Sequence, residues 1–341
     1  GSNNVGLGYY GGSRVTTGDH NIAIGAESYG ASTGDDNITM GYRAMMTNHT
    51  LNKNVAIGNS SLYYPGAGGS GRNITIGYQA MYGHSTGGSA SYNVTVGYRT
   101  LYQVGVGSSN VAVGDSAGYQ MLSGSSNTLV GYSAGHWATG SNNTFMGYQA
   151  GKGGTSSAPY SSGENNVAVG YNALTGFTTG FRVVAVGYNA GASLTTGGQS
   201  VFIGYNAGDG TTNSYRNIAI GDNALSEDAG DDNIAVGFFA LRTLEGGGNG
   251  NIGIGSRAGE TITTGARNIA IGWRTMWDLN AGSNSADSED NIAIGYAAMN
   301  GTWADAQSNQ NIAIGSYAMD GALNGALRNV AIGHDALGGL T

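Results

Sequence analysis

Asn291-Ile292-Ala293-Ile294-Gly295 is the stretch of sequence that decides the fold, and it returns as Asn311-Ile312-Ala313-Ile314-Gly315. The same frame, ending in an aliphatic residue or Met followed by glycine, occurs in 19 copies with final glycines from Gly8 to Gly333. A repeat of fixed period takes priority over residue-by-residue assignment, because such units bury apolar surface only by stacking. The repeat runs through the whole chain, so we predict one continuous repeat domain over residues 1–341, cut from a longer protein.

We number each copy from its first residue, position 0, which is Asn in 17 of the 19 copies. Position +1 is Val or Ile in 17 copies, position +3 is always aliphatic or Met, and position +2 is mostly small, with Ala in 11. Apolar residues at alternate positions, many of them β-branched, predict a β-strand with one buried face. We therefore expect the +1 and +3 side chains to form the core. The small +2 residue would then face outward, where a second chain could approach closely.

Glycine follows at +4 in all 19 copies, which predicts either a positive φ or a contact too close for a Cβ. Position +7 is small, with Ala in 14 copies, and we interpret it as the inward residue of a second, shorter strand. A stacked asparagine at position 0 can satisfy the backbone at the corner of each coil. The predicted structural ladder is represented by Asn166, Asn217, Asn291, Gly170, Gly221 and Gly295.

Successive copies lie 16 to 18 residues apart in most intervals, and 19, 20 or 23 apart in the rest. This period is too short for helical repeats and is typical of one coil of a parallel β-solenoid. The fold class is thus predicted as all-β, a β-solenoid of about 19 coils, with its handedness open. The two 23-residue intervals, 143–166 and 268–291, must contain loops. A core this thin favours a homo-oligomer, and we expect a trimer.

Composition excludes several classes of function. The net charge is −8 with only 10% charged residues, so clustered Lys and Arg for nucleic-acid binding are missing. The chain contains no Cys, which removes disulfides and thiolate metal sites. No apolar run is long enough for a transmembrane helix, so membrane insertion is not expected. We expect no cofactor, and the chain shows no Ser-His-Asp signature or other catalytic constellation, so we predict that it is not an enzyme.

An aromatic residue follows the +4 glycine in 12 of the 19 copies, and stacking of coils would align these residues in a ladder. A row of aromatic rings could contact a glycan, but the same row would also pack coil on coil, and we favour the structural interpretation. The ladder residues considered as glycan contacts are Tyr132, Tyr148, Tyr171, Tyr188 and Tyr205. Loops that interrupt the repeat are the preferred binding candidates, represented by Lys152, Tyr160, Glu164, Trp277, Asp278 and Trp303.

Acidic pairs precede three copies, at Asp35-Asp36, Asp231-Asp232 and Glu289-Asp290. Calcium binding by these loops stays open, although solvated charge is the preferred interpretation because the Gly-Gly-x-Gly-x-Asp pattern of calcium-binding rolls is absent. The five histidines, His20, His49, His84, His136 and His334, occupy unrelated positions in the repeat and predict no metal site.

The segment Asn166 to Ala173 resembles the head repeats of trimeric autotransporter adhesins, which are left-handed parallel β-rolls of three chains. The segment Ser141 to Gly151 resembles more closely the repeats of phage tail fibres, many of which are trimerised by a C-terminal chaperone of the endosialidase type. The resemblance covers the whole chain and implies an extracellular or virion-surface location. The coil here is longer than that of the adhesin heads.

The sequence thus predicts a non-enzymatic fibre segment, most closely like a phage tail fibre, that binds a host surface polysaccharide or protein through its loops. We also expect the chain to associate with copies of itself, as a homotrimer. Two alternatives stay open: a subunit of an extracellular filament assembled head to tail, and a bacterial trimeric surface adhesin.

Overall fold

The computed structural model describes residues 1–30, 33–47, 50–64, 71–83, 90–277, 287–301 and 306–339. The chain divides into two compact units, residues 1–179 and 180–341, which we describe separately as unit 1 and unit 2. Every strand in the described residues is three residues long and corresponds to positions +1 to +3 of one copy of the repeat. The predicted single domain over 1–341 stays a prediction.

Unit 1 contains ten strands, each parallel to the next along the chain and paired without a register shift. They are β1 Val5–Leu7, β2 Ile22–Ile24, β3 Ile38–Met40, β4 Val55–Ile57, β5 Ile74–Ile76, β6 Val94–Val96, β7 Val111–Val113, β8 Thr128–Val130, β9 Thr144–Met146 and β10 Val167–Val169. Between β9 and β10 the 23-residue interval is absorbed outside the strands, because Val167 still pairs with Thr144.

Unit 2 contains nine strands with the same parallel, in-register pairing. They are β11 Val184–Val186, β12 Val201–Ile203, β13 Ile218–Ile220, β14 Ile234–Val236, β15 Ile252–Ile254, β16 Ile269–Ile271, β17 Ile292–Ile294, β18 Ile312–Ile314 and β19 Val330–Ile332. The predicted all-β class, the parallel β-solenoid and the 16–23 residue period are therefore confirmed in each unit.

The assignment of the two strand faces was wrong. In every strand from β2 to β19 the central +2 residue is buried, whereas the flanking +1 and +3 residues are half-buried or exposed. The space beside position +2 is filled by the turn of the same coil: a Cβ on Gly253 would lie 2.9 Å from the carbonyl oxygen of Ala258. Little room remains inside the coil, so the small residue points inward and Val and Ile point outward.

The core is built from complementary volumes at positions +2 and +8. Where +2 is Ala or Thr, +8 is mostly Leu or Met, as in Ala168 with Leu174, and both side chains are buried. Where +2 is Phe or Leu, +8 is Gly. A Cβ on Gly151 would lie 2.4 Å from the ring of Phe145, and one on Gly208 would lie 2.3 Å from Phe202. Where both positions are small, side chains of adjacent coils fill the space: a Cβ on Gly118 would lie 2.5 Å from the side chain of Leu101. Volume is thus shared within a coil and between neighbouring coils, as expected for a close-packed interior.

The segment after the strand is a turn rather than the predicted second strand. The +4 glycines have φ near +135°, and residues at +6 and +8 also have positive φ, as in Gln149 and Leu174. Extended backbone cannot accommodate such residues. The small +7 residue is nevertheless buried as predicted, because the turn folds it onto the core.

The position-0 asparagines form the predicted ladder at the corner of the coils. Where another asparagine follows in line, the Oδ1 atom accepts hydrogen bonds from it, as Asn93 does from the backbone N–H and the Nδ2 of Asn110, at 2.9 and 3.1 Å. The Nδ2 group of Asn110 also donates to the carbonyl of Gly124 at 2.9 Å. Asn291 repeats both features, donating to Asn268 and to the carbonyl of Ser308. Wherever asparagines follow one another, the buried polar column is thus hydrogen-bonded from coil to coil.

Val183 and Ser200 interrupt this column in unit 2, and the side chain of Val183 has no hydrogen-bonding group. At Ser200 the shorter side chain still accepts a hydrogen bond from the backbone N–H of Asn217, at 3.1 Å. Asn217 then donates through Nδ2 to Ser214 and Gly230, at 2.9 and 2.8 Å. In unit 1 the backbone N–H of Asn166 donates to Asn143 Oδ1 at 2.9 Å, across the 23-residue interval. The ladder therefore tolerates both a shorter acceptor and a longer coil.

Candidate binding surfaces

The outward +1 and +3 side chains of each unit form two adjacent columns, which we call the aliphatic stripe. Ile74 and Ile76 of β5 are 42% and 37% exposed, and Ile203 and Ile220 of neighbouring strands in unit 2 are 38% and 37% exposed. Large contiguous apolar patches are uncommon on soluble monomers and mark interaction sites. The stripe is consequently the most extended candidate interface in each unit, and it arises from the face that was predicted to be core.

The +5 aromatic residues form the predicted ladder, which we call the outer ladder. In unit 1 the ring centroids of Tyr132 and Tyr148 are 5.2 Å apart, and those of Tyr148 and Tyr171 are 4.9 Å apart, with nearly parallel planes. In unit 2 Tyr188 and Tyr205 stack at 5.1 Å. All five side chains are between 42% and 51% exposed. A stacked neighbour covers at least one face of each ring.

This geometry supports the structural interpretation of the outer ladder. Stacking of a sugar on an aromatic ring requires an open face, and both faces of Tyr148 are used by coil-to-coil contacts with Tyr132 and Tyr171. The hydroxyls could still exchange hydrogen bonds with a ligand. A glycan-binding role of the five tyrosines stays a prediction, and rings that lack a stacked neighbour are better placed for one.

A second aromatic column in unit 1, the inner ladder, was missed by the sequence analysis. Tyr63, Tyr82, Tyr102, Tyr119 and His136 occupy position +9 of successive copies and stack with centroid distances of 4.9 to 5.1 Å. Burial raises the pKa of Tyr63, Tyr82 and Tyr102 and lowers the pKa of His136. The recurrence of Tyr at +9 was visible in the sequence and would have revealed the column.

The candidate loop between β9 and β10 begins where the inner ladder ends. The ammonium of Lys152 lies 4.8 Å from the ring centroid of Trp137, which meets His136 edge-on. Tyr160 is half-buried and Glu164 is exposed. Lys152 is thus held by a cation–π contact and is half-buried like Tyr160, so Glu164 is the exposed one of the three candidates in this loop.

Of the remaining loop candidates, only Trp277 lies within the described residues; Asp278 and Trp303 lie outside them. The indole N–H of Trp277 donates to Glu260 at 2.9 Å, and the buried Glu260 carboxylate also pairs with Arg257 and Arg242, at 2.9 and 3.2 Å. The Arg274 guanidinium lies 4.5 Å from the Trp277 ring centroid. Trp277 therefore belongs to an internal network of coil-to-coil contacts, and its predicted binding role remains untested.

The acidic pairs contact cations or backbone groups of the preceding coil. Arg216 pairs with Asp232 at 2.6 Å and lowers its pKa, and Arg267 does the same for Asp290 at 2.7 Å. Asp35 accepts a hydrogen bond from the backbone N–H of Asp19 at 2.8 Å. These exposed pairs fix loop register between coils, although surface ion pairs contribute little stability.

Asp209 in unit 2 is half-buried, and one of its oxygens is buried without a hydrogen-bond partner among the described residues. Burial raises its pKa to about 6 from 3.8, with a further contribution from Glu227. Since the unfolded chain ionises first, this group should reduce stability as the pH rises from 3.8 to about 6 and should keep it reduced above that range.

We expect Asp209→Asn to raise the thermal unfolding midpoint at neutral pH and to have little effect at pH near 4, because the parent carboxyl is then protonated in the fold. Unfolding followed by circular dichroism at both pH values tests this. Glu245→Gln, the same charge change at an exposed site, is the control. A gain for Asp209→Asn that does not depend on pH would contradict the burial argument.

Among the described residues, no group of three His, Asp or Glu side chains is close enough to bind a metal ion together. His49 and His84 lie outside those residues. No helix in the described part of the chain is both long and apolar enough to cross a membrane. The predicted absence of catalysis stays a prediction.

Comparison with protein-family models finds no matching family, and comparison with curated proteins finds no match.

Proposed function

We propose that this chain is a non-enzymatic structural segment of an extracellular or virion-surface fibre, which associates with copies of itself and presents its turns and loops to host glycans or proteins. The aliphatic stripe is the observation that carries the proposal. Columns of exposed Val and Ile are unfavourable in a single chain in water. Full burial of such a side chain contributes roughly 1.5–3 kcal/mol, and here about a third of each side chain remains to be buried.

A second copy of the chain is the partner that fits the stripe. Its outward side chains recur once per coil in the register of the parallel sheet. A partner must match this step to bury every row, and an identical chain matches it without adjustment. The stripe carries no charged side chain in either unit, which is typical of the core of a stable interface. The resemblance to trimeric fibres favours three copies.

The double variant Ile203→Lys with Ile220→Glu tests the assembly. The two residues are neighbours on adjacent strands, so Lys and Glu can pair with each other in a separated chain and leave the net charge unchanged. In the assembly the same charges would be buried, which is costly. We expect the parent chain to have the mass of a discrete oligomer by light scattering, and the variant to have the mass of one chain with its circular dichroism retained.

Ser193→Lys with Gln199→Glu is the matched control, because both residues are exposed in the loop that precedes β12. It should retain the oligomer. A parent chain that remains monomeric at high concentration would overturn the proposal. An indefinite polymer unaffected by the stripe variant would favour the alternative, a filament joined head to tail through coil ends.

A further inference from the structure

A cleft of about 630 Å³ opens on the turn side of the first three coils of unit 1. It lies where the residues at positions +5 and +9 of the same coil are both small. Ala26 occupies the outer-ladder position between Tyr9 and Tyr42, and Gly30 occupies the +9 position that Met46 fills in the next coil. The hollow therefore follows from two small residues in the coil that contains β2.

The hollow is enforced by the backbone of the neighbouring coils. A Cβ on Gly30 would lie 1.5 Å from the carbonyl oxygen of Met46, so no side chain fits there. Glu27 N–H donates to the Tyr9 carbonyl at 2.8 Å, and Arg43 N–H donates to the Ala26 carbonyl at 3.1 Å. These bonds hold the three coils at a fixed spacing. The cleft is thus preformed, and its volume is within the range of small-molecule sites.

The aromatic rings of the cleft differ from those of the ladders. Tyr9 and Tyr10 meet each other edge-on with centroids 4.3 Å apart, and among the described residues neither has a parallel stacked neighbour. Ala26 leaves open the face of Tyr9 that another ladder ring would cover. The cleft therefore offers an open aromatic surface to a flat apolar ligand face.

The charged groups of the cleft are unevenly balanced. Arg43 donates through Nε to Glu27 at 2.7 Å, which orients the guanidinium and leaves its terminal nitrogens as further donors. Arg14 also lines the cleft and has no ion-pair partner among the described residues. Two guanidinium groups thus face one carboxylate in a chain of net charge −8. This local excess of positive charge favours an anion, and guanidinium binds carboxylate in a bidentate geometry.

We propose that the cleft binds an acidic saccharide, with a pyranose face against Tyr9 and Tyr10 and the sugar carboxylate on Arg14. The Glu27–Arg43 pair supplies an acceptor and donors for the ring hydroxyls. This inference rests on the host-binding role proposed above and assigns that role a ligand class and a place. It does not depend on the aliphatic stripe, which lies on the strands and not on the turns.

Calorimetric titration of the full chain with methyl glucuronide tests the proposal. We expect saturable binding of the glucuronide, and much weaker binding of methyl glucoside, which lacks the carboxylate, and of acetate, which lacks the ring. Arg14→Gln should weaken glucuronide binding about tenfold or more, as expected for loss of a charged hydrogen-bond partner. Arg182→Gln, the same charge change at an exposed arginine in unit 2, should leave it unchanged.

Ala26→Tyr provides a variant that fills the site without disturbing the fold, because neighbouring coils carry Tyr at this position. It should abolish binding while the thermal midpoint is kept or raised. Equal affinity for glucoside and glucuronide, or equal losses in Arg14→Gln and Arg182→Gln, would overturn the assignment. A parent chain that forms the oligomer but binds no glucuronide at millimolar concentration would refute the cleft and leave the assembly proposal standing. Glucuronide binding by a chain that remains monomeric would refute the assembly proposal and leave the cleft proposal standing.

Discussion

Gly131→Ala is expected to cause local unfolding of unit 1. Gly131 has φ +134°, and a Cβ there would lie 2.4 Å from the carbonyl oxygen and 2.7 Å from the carbonyl carbon of Gly147 in the next coil. Both atoms belong to backbone that is fixed by strand pairing, so relaxation requires the coils to separate. We expect a loss of more than about 4 kcal/mol, the sum of backbone strain and lost coil contacts.

The variant Gly333→Ala separates the effect of backbone strain from that of a steric clash with the next coil. Gly333 has a similar φ of +127°, but no atom lies within 4 Å of a Cβ built there. This variant should show the strain alone, roughly 1–3 kcal/mol. Gly247→Ala, with neither a positive φ nor a neighbour within 4 Å, should be close to neutral.

Amide hydrogen exchange read by mass spectrometry is the suitable measurement, because repeat structures open locally. In Gly131→Ala the amides of β8 and β9 should lose protection, whereas in Gly333→Ala any loss should be confined to the neighbourhood of β19. Equal losses in the two variants would show that conformational strain, and not the close approach of coils, makes these glycines necessary.

Asn110→Ala is expected to have the second largest effect. The side chain is fully buried, and its Oδ1 accepts from the backbone N–H and the Nδ2 of Asn127, at 2.9 and 3.0 Å. Its Nδ2 donates to Asn93 and Gly124. Removal leaves the buried N–H of Asn127 and the carbonyl of Gly124 without a hydrogen-bond partner. Each unsatisfied group should lower the free energy of unfolding by about 1–3 kcal/mol.

Asn110→Ser is the informative comparison, since Ser200 already occupies a ladder position in unit 2. Its hydroxyl accepts from the N–H of Asn217 at 3.1 Å. Serine at position 110 should restore the acceptor for Asn127 but not the donor to Gly124, so its loss of stability should be clearly smaller than that of alanine. Chemical denaturation of the parent and both variants measures the order. Equal losses would mean that the hydrogen bonds of the column do not govern its stability.

The candidate surfaces were only partly predictable. The outer ladder follows from the aromatic residues at +5, and its stacking is confirmed. The cleft depends on Ala26 and Gly30, two ordinary small residues that acquire meaning only when Tyr9, Tyr42 and Met46 are placed around them. Glu260 also looks like an isolated loop carboxylate in the sequence, yet the fold buries it between two arginines. Such sites join residues of different coils, whose lateral positions the repeat does not specify.

The sequence by itself determined the strands, their period and their parallel register, because the Asn-aliphatic-x-aliphatic-Gly phrase recurs with fixed internal spacing through loops of changing length. The alternation of apolar residues also established that the side chains at +1 and +3 lie on the opposite face of the strand from the side chain at +2. Only the tertiary structure decided which of these faces is the interior. The turn returns residues +7 and +8 against the strand and leaves room for one small side chain, so Ala293 is buried between Ile292 and Ile294, which point outward. The aliphatic stripe, on which the proposed assembly depends, is the consequence of that inversion.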